Sequence, residues 1–164
     1  LKPTVAAALL LLAETARHHT VLDPCCGAGT ILVEAAMLGA TPLGGDQDAA
    51  AIAAAQSNAI AAGIALDVRV WDARHLPLPD AAVDCIVTNL PWGIQVATDS
   101  VLTAFYAAAC AEMERVIRPN GRIVLLTSLP HLVVFPTWAV TSQLEISLFG
   151  QQPRILIVEA PPRA

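Results

Sequence analysis

The sequence predicts an α/β fold: a doubly wound, mostly parallel seven-stranded sheet with helices on both faces and a C-terminal antiparallel hairpin. Two observations carry that reading. Short β-branched or apolar runs alternate with longer alanine-rich or amphipathic runs over most of the chain. Near the end, "QLEISLFG" and "RILIVEA" are two strand-like runs separated only by "QQP", a connection short enough for a hairpin. Strand–helix alternation implies right-handed crossovers and a parallel sheet covered on both sides. The hairpin demands one strand running against the others. Ligand sites in such sheets lie at the carboxyl ends of the strands. At 164 residues, positions 1–164 are read as one domain.

Each element has a local cause. Pro3 opens a first helix over Thr4–Ala16, and "TVLDP" is a short strand stopped by Pro24. "GTILVEAAMLG" reads as a helix closed by Gly39, followed by the strand "TPLGGD". Asp48 caps an alanine-rich helix that ends near Ala62 and Gly63. "ALDVRVWD" alternates as a third strand, and "AAVDCIVTN" is apolar enough to be buried on both faces. Asp99 and Ser100 precede an amphipathic helix from about Val101 to Ile117, stopped by "RPNG". "RIVLLTS" is the fifth strand, and Pro136 limits any helix in "LPHLVVFPTW". The closing hairpin completes the sheet.

Composition narrows the class. Hydrophobic residues make up 55%, but much of that is alanine, as in "AAAIAAAQSNAIAAG". The longest apolar runs, such as Val5–Ala13, fall short of the roughly 20 residues that span a bilayer. No charged leader with a cleavage site opens the chain, so a cytoplasmic protein is expected. The chain starts at Leu1, which suggests a fragment whose upstream part is missing. Cys25, Cys26, Cys85 and Cys110 form no C-x-x-C pair and have no histidine at zinc spacing. They are read as reduced, mostly buried thiols, and no metal site is expected. His18, His19, His75 and His131 lack triad partners and read as surface or loop residues.

Chemistry concentrates at the strand ends. In "VLDPCCGAGT", Asp23 ends a strand, and Gly27 and Gly29 lie in the turn before a helix, where glycine permits positive φ and close approach of a ligand. A dinucleotide fingerprint would place a third glycine near Leu32, and no Lys-Ser/Thr follows for a P-loop. Asp46 ends the second strand, where a carboxylate can accept hydrogen bonds from both ribose hydroxyls. Asp72 ends the third strand and Asn89 the fourth. One such residue is readily explained as a turn or helix cap. Four on one rim favour a cationic cofactor over a pyrophosphate.

These residues resemble the class I S-adenosylmethionine-dependent methyltransferases: "LDPCCGAGT" looks like their first motif, "GGDQD" the second, "WDA" the third and "NLPW" the fourth. The resemblance implies a Rossmann-like methyltransferase fold with S-adenosylmethionine as cofactor. Asp23 and the Gly27–Gly29 loop would face its methionine part, with Cys25 and Thr30 of the same motif in the cofactor-binding set. Asp46, with Gln47 beside it, would hold the ribose. Asp72 would hold the adenine amino group, with Ala73 beside it, and Asn89 would border the cofactor. More narrowly, "LKPTVAAALLLLA", "DPCCGAGTILVEAA", "GGDQD", Asn58 in "SNAIAAG" and "TNLPWG" resemble the methylase domain of THUMP-containing tRNA guanine-N2 methyltransferases. Members of that family usually carry an RNA-binding THUMP domain upstream.

"NLPW" is similar to the [DNS]-P-P-[YFW] motif of amino-methyltransferases, with Leu90 in place of its first proline. An exocyclic base amine is a poor nucleophile because its lone pair is delocalised into the ring. Two acceptors that hold both N–H bonds let the nitrogen pyramidalise toward a methyl donor. The Asn89 side-chain oxygen and the Pro91 carbonyl are the candidate acceptors, and Trp92 the ring on which the base stacks. Asn89, Pro91 and Trp92 are thus the candidate catalytic residues. The resemblance implies methylation of guanine N2 in RNA, with tRNA the expected substrate. The alternatives are an amino-methyltransferase on DNA adenine or protein glutamine, or a silent cofactor-binding subunit. A net charge of −5 with nine scattered basic residues predicts weak RNA binding by this domain alone, which fits an RNA grip in an upstream part and equally fits a non-nucleic substrate.

Overall fold

In the computed structural model, which describes residues 1–91, 99–148 and 150–160, seven strands form one sheet in the order β3-β2-β1-β4-β5-β7-β6. The elements run α1 (Pro3–Leu12), β1 (Thr20–Asp23), α2 (Thr30–Met37), β2 (Thr41–Asp46), α3 (Ala49–Ala61), β3 (Asp67–Val70) and β4 (Val83–Asn89). They continue with α4 (Asp99–Val116), β5 (Ile117–Thr127), a 3-10 turn (Pro130–Leu132), β6 (Ala139–Glu145) and β7 (Arg154–Glu159). Strands β1 to β5 pair in parallel, and β7 is antiparallel to both β5 and β6. The predicted doubly wound sheet with one reversed strand is the observed one.

Side-chain alternation along the central strands divides two cores. Val21, Cys85, Val87, Val124 and Leu126 pack with Ala6, Leu9 and Leu10 of α1 and Ile31 and Ala35 of α2. Their neighbours Leu22, Ile86, Ile123 and Leu125 face the opposite side, against Tyr106, Cys110 and Met113 of α4. Helix α3 joins α2 above β3 through Leu32, Ile52, Ala55 and Val68. Strands buried on both faces need apolar residues at every position, which is why β4 and β5 read as continuous apolar runs. All four cysteines are free thiols, three of them buried. No helix among the described residues is long and apolar enough to cross a membrane.

Several boundaries differ from the sequence reading. Helix α1 ends at Leu12, not Ala16, because Glu14 turns left-handed (φ 51°) and Thr15 N donates back to Leu10 O at 3.1 Å. A glutamate at that position carries none of the signal that glycine would. "RPNG" does not separate helix from strand. The chain passes directly from Val116 into β5, with Ile117 opposite Val83 and Arg122 opposite Cys85, so Arg118–Gly121 form an irregularity within the strand. Gly121 is needed there: a Cβ would lie 2.6 Å from Ile117 Cγ1 and 2.7 Å from the Asp84 carbonyl. β3 stops at Val70, before Trp71 and Asp72. β6 begins at Ala139 and ends at Glu145, so the hairpin connection is longer than "QQP" and contains a Leu148–Gln151 bridge.

Candidate functional site

The β1–α2 turn is built to hold its backbone open. Gly27 and Gly29 both take positive φ, 51° and 77°, a region that a Cβ disfavours. Gly29 is also a close approach: a Cβ would sit 2.9 Å from that of Ala55 in α3. Asn58, one turn further along α3, donates to the Ala28 carbonyl at 2.9 Å and ties the turn to the helix. At Gly27 nothing lies within 4 Å of where a Cβ would be, so the space above the turn is clear.

Two carboxylates serve this turn in different ways. Asp46, at the end of β2, accepts from Gly27 N through Oδ2 and from Asp48 N through Oδ1, both at 3.0 Å. Each oxygen keeps a further lone pair. Asp23, at the end of β1, is 1% exposed and accepts from Thr88 Oγ1 at 2.6 Å and from Cys25 N at 3.2 Å. Burial pushes its carboxyl up to about 7, against the lowering effect of those two donors and with a small push from Asp46. Burial also raises the Cys25 and Cys26 thiols, so neither is a ready nucleophile.

A cleft of 440 Å³ opens at the carboxyl ends of β1, β2 and β4. Cys25, Asp46, Gln47, Ala73, Asn89 and Pro91 line it, together with Pro24 and Arg74, and α4 closes it with Val101, Leu102 and Phe105. A larger cavity of 970 Å³ lies at the other end of the sheet, around Asp84, Gly121 and Arg122. None of the predicted site residues lines that cavity, and Arg122 there is paired with Glu14 and Glu159. The strand-end cleft is therefore the candidate site.

Beside the cleft, β4 ends in a way that depends on Leu90. Its N–H donates to Leu126 O at 3.1 Å, and its side chain is fully buried. A proline there could not make that bond. Leu90 extends the ladder by one residue, and Pro91 then ends it. Asn89 is half-buried at the cleft wall.

Residues 1–134 match the family described as RMKL-like, methyltransferase domain. The chain belongs to the RMKL-like methyltransferase-domain family. It is 34% identical over 166 residues to the tRNA (guanine(6)-N2)-methyltransferase of Thermus thermophilus, covering 97% of this chain and 50% of that protein. The U6 snRNA (guanine-N(2))-methyltransferase THUMPD2 of Bos taurus is 36% identical over 135 residues, covering 80% of this chain and 26% of that one. The crystal structure of TrmN from Thermus thermophilus superposes with a TM-score of 0.87 at 32% identity, over 98% of this chain and 49% of TrmN. The chain thus spans half, or about a quarter, of the length of these relatives.

Within this RMKL-like domain, the predicted residues divide by position. Cys25, Asp46, Gln47, Ala73, Asn89 and Pro91 converge on one cleft. Gly27, Gly29 and Thr30 form the turn and first helical residue behind it. Asp72 is held by Arg74, whose Nε and Nη2 approach its carboxylate at 3.0 and 2.7 Å, and this ion pair lowers the Asp72 pKa. Trp92 lies outside the described residues. Sequence reasoning missed Arg74, Thr88 and the α4 wall. Arg74 lies two residues after Asp72, a local ion-pair spacing that could have been noticed. Thr88 and Phe105 reach the site through strand pairing and helix docking, which no local pattern announces.

Proposed function

We propose that this domain transfers a methyl group from S-adenosylmethionine to the exocyclic N2 amine of guanine in RNA, with tRNA the favoured substrate. The observation that carries it is a juxtaposition: Asn89 and Pro91, the two candidate amine acceptors, line the same cleft as Asp46 and Gln47. A methyl donor held by β2 and an amine held at the end of β4 would share one space. Both relatives described above are named as guanine-N2 methyltransferases, which supports that choice of amine.

The residues present suit the cofactor. Asp46 has one free lone-pair position on each oxygen for a cis-diol, and its carboxylate offers negative charge to a cation. The clear space at Gly27 leaves room beside the turn. S-adenosylmethionine, when bound, supplies an electrophilic methyl on a sulfonium.

The chain's own contribution is placement. Asn89 Oδ1 and the Pro91 carbonyl accept the two N–H bonds of the amine and bring its lone pair out of the ring plane. A methyl group supplied by bound S-adenosylmethionine would go to that lone pair, with a neutral thioether as the leaving group, and the nitrogen would pass its surplus proton to water. No side-chain base is required, since the methylated amine is strongly acidic before it loses that proton. Val101, Leu102 and Phe105 of α4 give the cleft an apolar side. Trp92 retains its sequence-based assignment as the surface on which the base stacks. A base in a stem would have to be flipped out to reach this cleft. RNA grip is assigned to a further domain of the full-length protein.

The test is nucleoside mass spectrometry of unmodified tRNA transcripts treated with full-length protein and S-adenosylmethionine. N2-methylguanine is the expected product. Methylated adenine, or methyl incorporation into protein alone, would replace guanine with another amine. No transfer at all would favour the silent subunit.

A further inference from the structure

Tyr106 is fully buried on α4, yet its hydroxyl reaches a backbone atom at the mouth of the cleft. It donates to the Pro91 carbonyl at 3.1 Å and lies 2.7 Å from Thr127 Oγ1 at the end of β5. Thr127, also fully buried, accepts from Leu129 N at 2.9 Å. Each hydroxyl has one proton, and that fixes the direction of the chain. Tyr106 gives its proton to Pro91, so Thr127 must give its own to Tyr106, and Leu129 N–H supplies the Thr127 oxygen. The three donors form a head-to-tail relay from the β5 end to Pro91 O, with no proton left over.

A carbonyl oxygen has two lone pairs, and the relay occupies one of them. We infer that Tyr106, backed by Thr127, is a positioning residue for methyl transfer: it pins the Pro91 carbonyl so that its remaining lone pair faces the substrate amine. This rests on the proposed role of Pro91 as an amine acceptor. Packing alone does not account for the arrangement, because a phenylalanine would fill the same space between α4 and β5. Burial holds the hydroxyl protonated, pushed up to about 12, so it remains a donor at any working pH. The last ladder bond of β4 is made by Leu90 N, and among the described residues no backbone N–H of the sheet donates to the Pro91 carbonyl. Tyr106 does.

The experiment follows methyl transfer by the full-length protein to tRNA transcripts, with kcat and KM determined separately. Tyr106→Phe is expected to lower kcat about tenfold or more, with KM for RNA and affinity for S-adenosylhomocysteine within about twofold. Thr127→Val, which cannot donate to Tyr106, should lower kcat in the same way, while Thr127→Ser should restore it. The double variant Tyr106→Phe/Thr127→Val should be no slower than Tyr106→Phe, since the relay acts as one unit. If Tyr106→Phe does not fold, the Thr127→Val and Thr127→Ser comparison tests the other end of the relay. Tyr106 is the only tyrosine in the sequence, so a tyrosine 13Cζ label gives one resonance that reports its hydroxyl without any turnover. That resonance should move in Thr127→Val and hold in Thr127→Ser. A wild type that methylates no exocyclic amine overturns the transfer reading, and Tyr106 loses its role with it. A wild type that methylates guanine N2, with Tyr106→Phe equal to it in kcat, overturns the relay alone.

Discussion

Thr88 and Asp23, on neighbouring strands β4 and β1, meet through a 2.6 Å hydrogen bond from Thr88 Oγ1 to Asp23 Oδ1, in a setting where both are almost completely buried. The bond lowers the cost of an ionised Asp23 without cancelling it, since burial still raises that carboxyl to about 7. A carboxylate with so high a value makes both stability and ligand binding depend on pH near neutrality.

The sign follows from proton counting. Between pH 3.8 and about 7 the folded protein keeps a proton on Asp23 that the unfolded chain has lost. Its contribution to stability is therefore complete below pH 3.8 and disappears as pH rises through 7. The slope is at most about 1.4 kcal/mol per pH unit. Thermal melts from pH 5 to 8 should show a decline in wild type that Asp23→Asn flattens. Equal slopes in the two proteins would place Asp23 in contact with water. A cationic ligand near Asp23 should release its proton, so calorimetry below pH 7 should find proton release on cofactor binding in wild type and less in Asp23→Asn.

Asp46→Ala should weaken S-adenosylmethionine binding by about tenfold to a hundredfold, the effect of losing hydrogen bonds to a charged acceptor. The same carboxylate holds Gly27 N, so the loss includes a looser turn. Titration calorimetry on both proteins measures it. NAD binding tightly in place of S-adenosylmethionine would remove the cofactor assignment altogether.

Asn89→Ala should leave cofactor affinity nearly unchanged while cutting methyl transfer about a hundredfold or more, as for one lost transition-state hydrogen bond. Steady-state kinetics beside equilibrium binding separates the two effects. Undiminished transfer would show that Asn89 is not an amine acceptor.

Gly45→Ala should destabilise the fold by about 1–3 kcal/mol, the usual cost of overpacking. An added Cβ would lie 2.3 Å from Trp71 Cε2 and 2.5 Å from the Arg69 carbonyl. Trp71 has little freedom to yield, because its indole N–H donates to Pro24 O at 3.1 Å. Denaturant titration gives the number, and a wild-type midpoint would contradict the packing.

The 164-residue domain should bind tRNA weakly and with a shallow salt slope. Arg69, Arg74, Arg115, Arg118, Arg122 and Arg154 are each paired with a carboxylate. Few cations remain to displace counterions from phosphates. Filter binding across a salt series measures the slope, and sub-micromolar affinity at physiological salt would reveal a basic surface.

Local chemistry decided much of this protein. Alternating apolar runs, glycines at the β1–α2 turn and polar residues at the strand ends are properties of neighbouring residues, and each is legible without coordinates. They were sufficient for a doubly wound sheet, for the rim carrying Asp46 and Asn89, and for the family resemblance. What depends on distant residues meeting was not legible. Strand order brings β4 beside β1 and so puts Thr88 on Asp23. Docking of α4 carries Phe105 to the cleft and Tyr106 to Pro91 O. The strand irregularity at Arg118–Gly121 depends on Asp84, 34 residues earlier, which is paired with Arg118. Propensity and periodicity act within a few residues along the chain. Burial of Asp23, and the hydrogen bond that makes Tyr106 more than a space-filling ring, arise only once the sheet has closed around them.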